Sequence, residues 1–353
     1  MESTLDFKLP SNIFLQAAFW AGISALGLTL LVGLQIIALR MSMRRTQRRE
    51  QALTLKWRPL LNAAIAGEEL GNLPELPWRD RVLFIKLWLH LQQAVRGEAS
   101  EGLNAIARRL GCDEHMRKLL VSGNRAERLL ATLALGHMRD RESWPALARA
   151  VHAADSASSV HALWALVQTD AARAANELAP LLLRRDDWPL SQLGNILQNA
   201  RSEWQPVLAE ALSRTSPEEL PPALRLVAAL RIDLPQAQLQ AYLDSPDVDV
   251  VLAALRLARS PHVIGQVRRH LESADWRIRL QAVRALGELG DRSDVARLRA
   301  LLSDPEWWVR YRAAQALLAL PFLTEAELAQ LRDSSDRYAA DMLTQVLAEK
   351  EAA

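Results

Sequence analysis

The sequence has little of what a disulfide framework, a thiolate metal centre or a β-sheet needs. Cys112 is the only cysteine among 353 residues, which excludes an internal disulfide and a thiolate zinc site and suits a reducing compartment. Tryptophan apart, aromatic residues are few, and no stretch of strand length alternates Val, Ile or Thr with polar residues. Leu, Ala and Arg recur throughout, so the composition predicts an all-α fold.

Net charge is nearly absent as well. The 43 lysines and arginines are balanced by 41 aspartates and glutamates, which leaves a net charge of +2 and predicts no nucleic-acid partner. A basic stripe on one face of the fold is the alternative, but its arginines, Arg256, Arg259, Arg268 and Arg269, are interspersed with Asp244, Asp247, Asp249 and Glu272.

Charged side chains are missing altogether from residues 11–39. This apolar run exceeds the roughly 20 residues that a helix needs to cross a bilayer, so it predicts a transmembrane helix. A cleaved signal peptide is the alternative, but it has a basic leading region and a shorter apolar run. Here the basic residues follow the run, in a juxtamembrane segment over 40–50 that holds Arg40, Arg44, Arg45, Arg48 and Arg49. Because arginines stay on the cytoplasmic side, residues 1–10 are expected outside and the C-terminal domain in the cytoplasm.

Two further roles are open for this segment. The five arginines could attract anionic lipid headgroups, or they could only set the topology. Within the span, small side chains recur every fourth residue, and the spacing aligns them on one stripe where a second membrane helix could pack. Chance recurrence is the alternative for this stripe, which comprises Ala17, Ala21, Ala25, Thr29 and Gly33.

Two stretches near the C-terminus share one skeleton, SADWRIRLQAVRALGEL at 273–289 and DPEWWVRYRAAQALLAL at 304–320. They match at a shift of about 31 residues, and weaker copies continue upstream. Each copy is followed by a turn and a second apolar segment, which predicts pairs of short helices stacked as an α-solenoid over 124–353. The equivalent positions are Ala131, Ala162, Leu193, Ala223, Ala254, Ala282 and Ala313.

The repeats resemble HEAT repeats, especially the short type of the phycobilisome-lyase-like proteins. The likeness lies in an Ile-Arg or Val-Arg pair, the alanine that follows it and an Ala-Leu-Gly, as in IRLQAVRALG and VRYRAAQALL. The resemblance implies a fold and a scaffold role. HEAT-type hydroxylases bind iron through His-Glu dipeptides, and this sequence contains none, so their chemistry is not implied. Residues 51–123 are helical but irregular, and are expected to form the N-terminal cap of the array.

Catalytic motifs are missing too. The seven histidines are scattered, and neither a phosphate-binding glycine loop nor a nucleophile elbow is present, so we expect no enzyme, no metal and no cofactor. Trp307 is expected in the core between repeats. Trp308, with Arg312 and Arg310, is a candidate contact for a partner, since Trp and Arg dominate binding interfaces. The alternative is structural: Trp308 packs on the last helices near Tyr338, and Arg279 and Arg310 bond to the aspartates of turns.

These features predict a membrane-anchored scaffold for protein–protein interaction. The arrangement is similar to bacterial membrane-anchored HEAT repeat domain-containing proteins, and this resemblance implies an inner-membrane location, a role in envelope polysaccharide synthesis or export, and a membrane glycosyltransferase as partner. The alternative is a lyase-like enzyme or cofactor-binding protein whose groove holds a small ligand, with Trp164, Trp188 or Trp204 as a stacking wall.

Overall fold

The computed structural model describes residues 13–68, 71–95, 97–324, 326–327 and 337–352, and the chain divides into two units, Met1–Ala134 and Leu135–Ala353. The expected extracytoplasmic stretch 1–10, the first two residues of the expected span and residues 328–336 of the expected solenoid lie outside the described residues. The described residues form 18 α-helices and no β-strand, which confirms the all-α prediction. The boundary expected between cap and solenoid after residue 123 stays a prediction.

The first helix, α1, runs without a break from Ile13 to Ile65. Its 53 residues correspond to a length of about 80 Å. The apolar part is exposed, and its most apolar window has a mean hydropathy of 2.1, so α1 is long and apolar enough to cross a membrane. The basic segment does not end the helix, because residues 34–58 contain neither glycine nor proline and are rich in good helix formers.

The far end of α1 belongs to the core of the first unit. Leu53, Trp57, Leu61 and Ala64 recur at helical spacing and are buried. Trp57 meets the ring of Phe84 edge to face, with ring centres 4.9 Å apart. The helices that follow α1 in this unit are α2 Arg81–Gln92, α3 Glu98–Arg109 and α4 Cys112–Ser122, and α5 Arg125–Met138 carries the boundary between the units.

The second unit is a succession of short helices. Aspartates start several of them, and the side chains of Asp155, Asp170, Asp247 and Asp275 each accept a backbone N–H of the first turn. The helices are α6 Trp144–Val151, α7 Ser156–Thr169, α8 Ala171–Arg184, α9 Leu190–Gln198, α10 Arg201–Ser213, α11 Leu220–Ala229, α12 Gln236–Leu243, α13 Val248–Leu255, α14 Ile264–His270, α15 Trp276–Leu289, α16 Val295–Ala300, α17 Trp307–Ala319 and α18 Arg337–Ala352.

The helices pack in chain order. The first helices of successive pairs lie against each other, α11 on α13, α13 on α15 and α15 on α17, and the second helices α12, α14 and α16 each pack on the first helix that follows. This arrangement of neighbours is that of an α-solenoid. The seven positions that match at the repeat spacing, from Ala131 to Ala313, are all completely buried.

Glycines allow two of these helix pairs to approach closely. A Cβ atom added at Gly287 would lie 2.9 Å from the Cβ atom of Ala316 on the next first helix. At Gly136 it would lie 2.6 Å from the ring of Trp164 and 2.9 Å from the Cα atom of Ala165. The Leu-Gly step that these two repeats share is therefore a contact requirement of the stack.

Charged side chains link one repeat to the next. The guanidinium of Arg279 donates through Nε and Nη2 to both carboxylate oxygens of Asp304, each at 2.8 Å, and both side chains are largely buried. Arg268 binds the fully buried Asp294 in the same way, at 2.7 and 2.8 Å. The carboxylate raises the pKa of Arg279, mainly by hydrogen bonding to its charged form. These bidentate pairs connect residues that are 25 and 26 positions apart in the chain, and they fix the register of the stack.

We expect Gly287→Ala to lower the free energy of unfolding by about 1 to 3 kcal/mol, since the new methyl group overlaps Ala316. Gly194→Ala in α9 is the matched control, because no atom lies within 4 Å of its Cβ position. That variant should be stabilised by up to about 1 kcal/mol through helix propensity. Urea unfolding of the full-length protein in detergent, followed by circular dichroism, measures both changes. If the two substitutions changed the free energy of unfolding equally, this would contradict a close approach of the two helices at Gly287.

Arg279→Ala should destabilise the fold by about 3 to 5 kcal/mol, because it leaves the carboxylate of Asp304 buried without its partner. Arg284→Ala on the same helix removes an exposed ion pair to Glu288, with 3.9 Å between nitrogen and oxygen, and should cost less than about 1 kcal/mol. The same unfolding assay compares them. A loss at Arg279 no greater than at Arg284 would show that the inter-repeat pair contributes little.

Candidate protein-interaction surface

The start of α17 carries an exposed aromatic pair. Trp308 exposes 56% of its surface and Trp307 38%. The rings of the two tryptophans meet edge to face, with centres 4.7 Å apart, and Trp307 stacks on Tyr311 at 5.1 Å. The expectation that Trp307 lies in the core is therefore wrong. A side chain in the first turn of a helix leans toward the N-terminus, past the end of the helix, where no preceding turn covers it.

The same position of the preceding repeat is also exposed. Trp276 begins α15 as Trp307 begins α17, and it exposes 36% of its surface. Because α15 and α17 pack side by side, these tryptophans stand at the same end of adjacent helices. We call Trp276, Trp307 and Trp308 the aromatic edge. Only Trp308 of this edge was identified from the sequence; the signal for the other two is their first-turn position directly after an acidic residue at the N-cap position.

The two arginines named with Trp308 are in different environments. The half-buried Arg310 donates through Nη1 to the carbonyl oxygens of Asp304 and Pro305, at 2.7 and 3.0 Å, and so braces the turn before α17. Arg279 makes the equivalent bonds one repeat earlier, to the carbonyls of Ser273 and Ala274. Arg312 is partly exposed and donates to the side-chain oxygen of Gln315 at 2.8 Å.

The last described helix closes one side of this region. The hydroxyl of Tyr311 donates to the carboxylate of Glu349 on α18 at 2.5 Å, and this bond raises the pKa of Tyr311. A shallow cavity of about 320 Å³ lies between α17 and α18, lined by Gln315, Leu318, Ala319, Val346 and Glu349. Tyr338, the residue on which Trp308 was alternatively expected to pack, has a side chain outside the described set.

The arginines after the apolar run are exposed on α1. Arg49 donates to the carboxylate of Asp80 at 2.5 Å, and the other four are Arg40, Arg44, Arg45 and Arg48. The stripe of small side chains lies on the apolar part of the same helix. Its members Ala17, Ala21, Ala25 and Thr29 are exposed and Gly33 is partly covered. The hydroxyl of Thr29 donates to the carbonyl of Ala25 at 2.8 Å, which satisfies its polar group within the helix, as an apolar environment requires.

Two titratable groups, Cys112 and His137, are held in their neutral forms by burial. Burial raises the pKa of the Cys112 thiol to about 12, so this cysteine carries no thiolate near neutral pH. Burial also lowers the pKa of His137, beside the ring of Trp164, to about 4. Among the described residues, no group of three or more His, Cys, Asp or Glu side chains is placed to hold a metal ion.

The tryptophans that could form a stacking wall for a small ligand are mostly packed inside. Trp188 and Trp204 are buried, and the indole N–H of Trp188 donates to the hydroxyl of Ser159 at 2.8 Å. A groove of about 180 Å³ does lie between α8 and α10. Arg184 and Arg214 at its rim are each within ion-pair distance of a glutamate, Glu219 and Glu210 respectively.

Comparison with known proteins identifies the repeats. A family model described as HEAT repeats matches residues 236–318 and 266–351. Among solved structures, 48 chains match, one of which is the crystal structure of an engineered protein from a structural genomics consortium. That protein is 19% identical, and the alignment covers 86% of this chain and 95% of the other, with a TM-score of 0.33. No curated protein sequence matches.

The family match confirms the resemblance drawn from the repeated skeletons at 273–289 and 304–320, which both lie within it. The helix pairs of the fold are those that such repeats form. Residues 236–351, about a third of the chain, therefore match the HEAT-repeat family model.

Proposed function

We propose that this protein is a non-enzymatic scaffold, anchored in a membrane by α1 and presenting its helical repeats to another protein. One observation supports this most strongly: no residue in the most apolar window of α1 is buried, while the far end of the same unbroken helix is buried in a folded unit. An exposed apolar surface of this length needs a bilayer to cover it. HEAT repeats in turn offer a long surface suited to protein partners.

The charge distribution around α1 supports one orientation. Five arginines follow the apolar run within ten residues, and such clusters remain on the cytoplasmic side of a bacterial inner membrane. The protein therefore has residues 1–10 outside and the C-terminal domain in the cytoplasm. Residues 51–123 act as the cap that closes the repeat array on its N-terminal side. The small-residue stripe of α1 offers a second membrane helix a close approach.

The aromatic edge is the proposed contact for the partner. Trp308 is the most exposed of its tryptophans, and Arg312 lies one turn further on the same face of α17. Tryptophan and arginine contribute most to the binding energy of protein interfaces. Arg310 supports this surface by holding the turn from which α17 begins. The resemblance to bacterial membrane-anchored HEAT proteins points to a membrane glycosyltransferase of envelope polysaccharide synthesis as the partner.

Reporter fusions in bacterial cells test the orientation. A fluorescent protein fused after residue 353 should fluoresce, and alkaline phosphatase fused at the same place should be inactive, because both would lie in the cytoplasm. Replacing the five arginines by glutamine should give a mixed population, since the charge difference across α1 is then lost. High phosphatase activity in the unmodified fusion would contradict the proposed topology.

Trp308→Ala should weaken partner binding at least about tenfold, which corresponds to about 1.4 kcal/mol or more, if this side chain is a central contact. Leu190→Ala is a matched control, because Leu190 is comparably exposed at the start of α9. Thermal unfolding should change little in either variant, since neither side chain is buried. Photocrosslinking from position 308 in cells identifies the partner, and an equal loss of binding in the two variants would contradict the assignment.

A further inference from the structure

One aromatic side chain of the first unit is left in solvent. Trp78 exposes 68% of its surface, although Trp57, Phe84 and Trp88 in the same unit are buried. The guanidinium of Arg79 lies 5.4 Å from the centre of the Trp78 ring. The side chains of tryptophan and arginine each have an apolar body and a polar tip. Such side chains are typical of the layer where a membrane meets water.

Trp78 lies at the end of the unit that is nearest the apolar part of α1. The carboxylate of Asp80, in the same short 3₁₀ turn, accepts a hydrogen bond from Arg49 of α1. Arg49 comes one helical turn before Leu53, the first buried residue among the described side chains of α1, and residues 41–52 are all exposed. The turn Trp78–Asp80 therefore forms the edge of the folded unit that faces the apolar segment.

The length of the helix brings this edge close to a bilayer. As a helix, the apolar residues 13–39 are about 40 Å long, whereas the hydrocarbon core of a bilayer is about 30 Å thick. A helix that is longer than this thickness tilts. Arg49 lies nine residues beyond Arg40, or about 14 Å along the axis, and a tilt near 40° reduces its height to about 10 Å. The headgroup layer is roughly 5 to 8 Å thick, so a tryptophan on the turn that pairs with Arg49 has about 2 to 5 Å left to span, which is less than the length of its side chain.

Charge favours an anionic surface. Residues 40–58 and 71–80 contain eight cationic side chains and three anionic ones. Arg49 and Asp80 are already paired. Arg40, Arg44, Arg45 and Arg48 lie on α1 between the apolar run and the folded unit, and Lys56, Arg58 and Arg79 lie on the unit itself. Such clusters attract anionic headgroups over a distance of about one Debye length, roughly 8 to 10 Å.

We propose that Trp78 and Arg79 dock the first unit on an anionic bilayer surface, with α1 tilted toward that side. This rests on the proposed membrane span of α1 and adds a second contact with the same leaflet. Tryptophan enters the headgroup layer and Arg79 pairs with a lipid phosphate, so that the unit is held at a fixed angle to the membrane.

Photocrosslinking to lipid tests the proposal in the full-length protein. The photoreactive residue p-benzoylphenylalanine replaces Trp78, Val121 or Leu28, one at a time, in nanodiscs of phosphatidylcholine with or without phosphatidylglycerol. Val121 is the matched control, because it belongs to the same unit and exposes 66% of its surface. Leu28, in the apolar part of α1, reports the membrane span itself.

Position 78 should crosslink to lipid well above position 121, and its yield should fall about tenfold without phosphatidylglycerol, equivalent to about 1.4 kcal/mol. If position 28 forms lipid adducts and position 78 forms no more than position 121, the docking contact is overturned and the membrane span is left intact. Absence of adducts at both 28 and 78 would overturn the span. A protein adduct at 78 in place of lipid would also overturn the proposal.

Discussion

The constraint on which the structure depends is that its helices are too short to cover their own apolar faces. The helices of the second unit have 6 to 16 residues, and each is stable because a neighbouring helix covers its apolar face. The helices pack closely because alanine and glycine lie along the contact line. Alanine at the repeated positions is completely buried, and Gly136 and Gly287 stand where a methyl group has no room. Spacing of about 31 residues is the sequence signature of this one requirement.

Although the net charge of the chain is close to zero, individual charged residues stabilise the packing of the repeats. Asp294 and Asp304 are carboxylates that burial alone would destabilise, and each is matched by a bidentate arginine from a neighbouring repeat. Such pairs add directional contacts to a stack whose apolar surfaces could slide. Five further arginines follow the apolar run of α1, and one of them, Arg49, pairs with Asp80 of the first unit.

Much of the fold could be predicted from the sequence because the spacing of apolar residues indicates which positions are buried. The match of Trp276–Leu289 with Trp307–Leu320 predicted the stacked helices, and the family model confirms those repeats. The sequence did not predict that α1 continues past the apolar run. The change from apolar to basic residues at Arg40 suggests a boundary, but the residues on both sides of it favour a helix. The exposure of Trp307 was not predicted. The spacing of apolar residues predicts which face of a helix is apolar, but not whether a neighbouring helix covers its first turn. Similarly, the exposed Trp78 depends on how the chain before α2 lies against α1, which no local pattern encodes.

The central claim is that one rigid helix joins a membrane to the folded chain. It is tested most directly by the distance between spin labels at Leu30→Cys and Leu55→Cys, both exposed on α1, in nanodiscs; Cys112 is buried and stays unlabelled. Twenty-five residues of continuous helix separate the labelled backbone positions by about 38 Å. The account predicts a narrow distribution near that distance, with the label at 30 protected from aqueous reductant and the label at 55 accessible. A broad or much shorter distribution, or equal accessibility of the two labels, would contradict it.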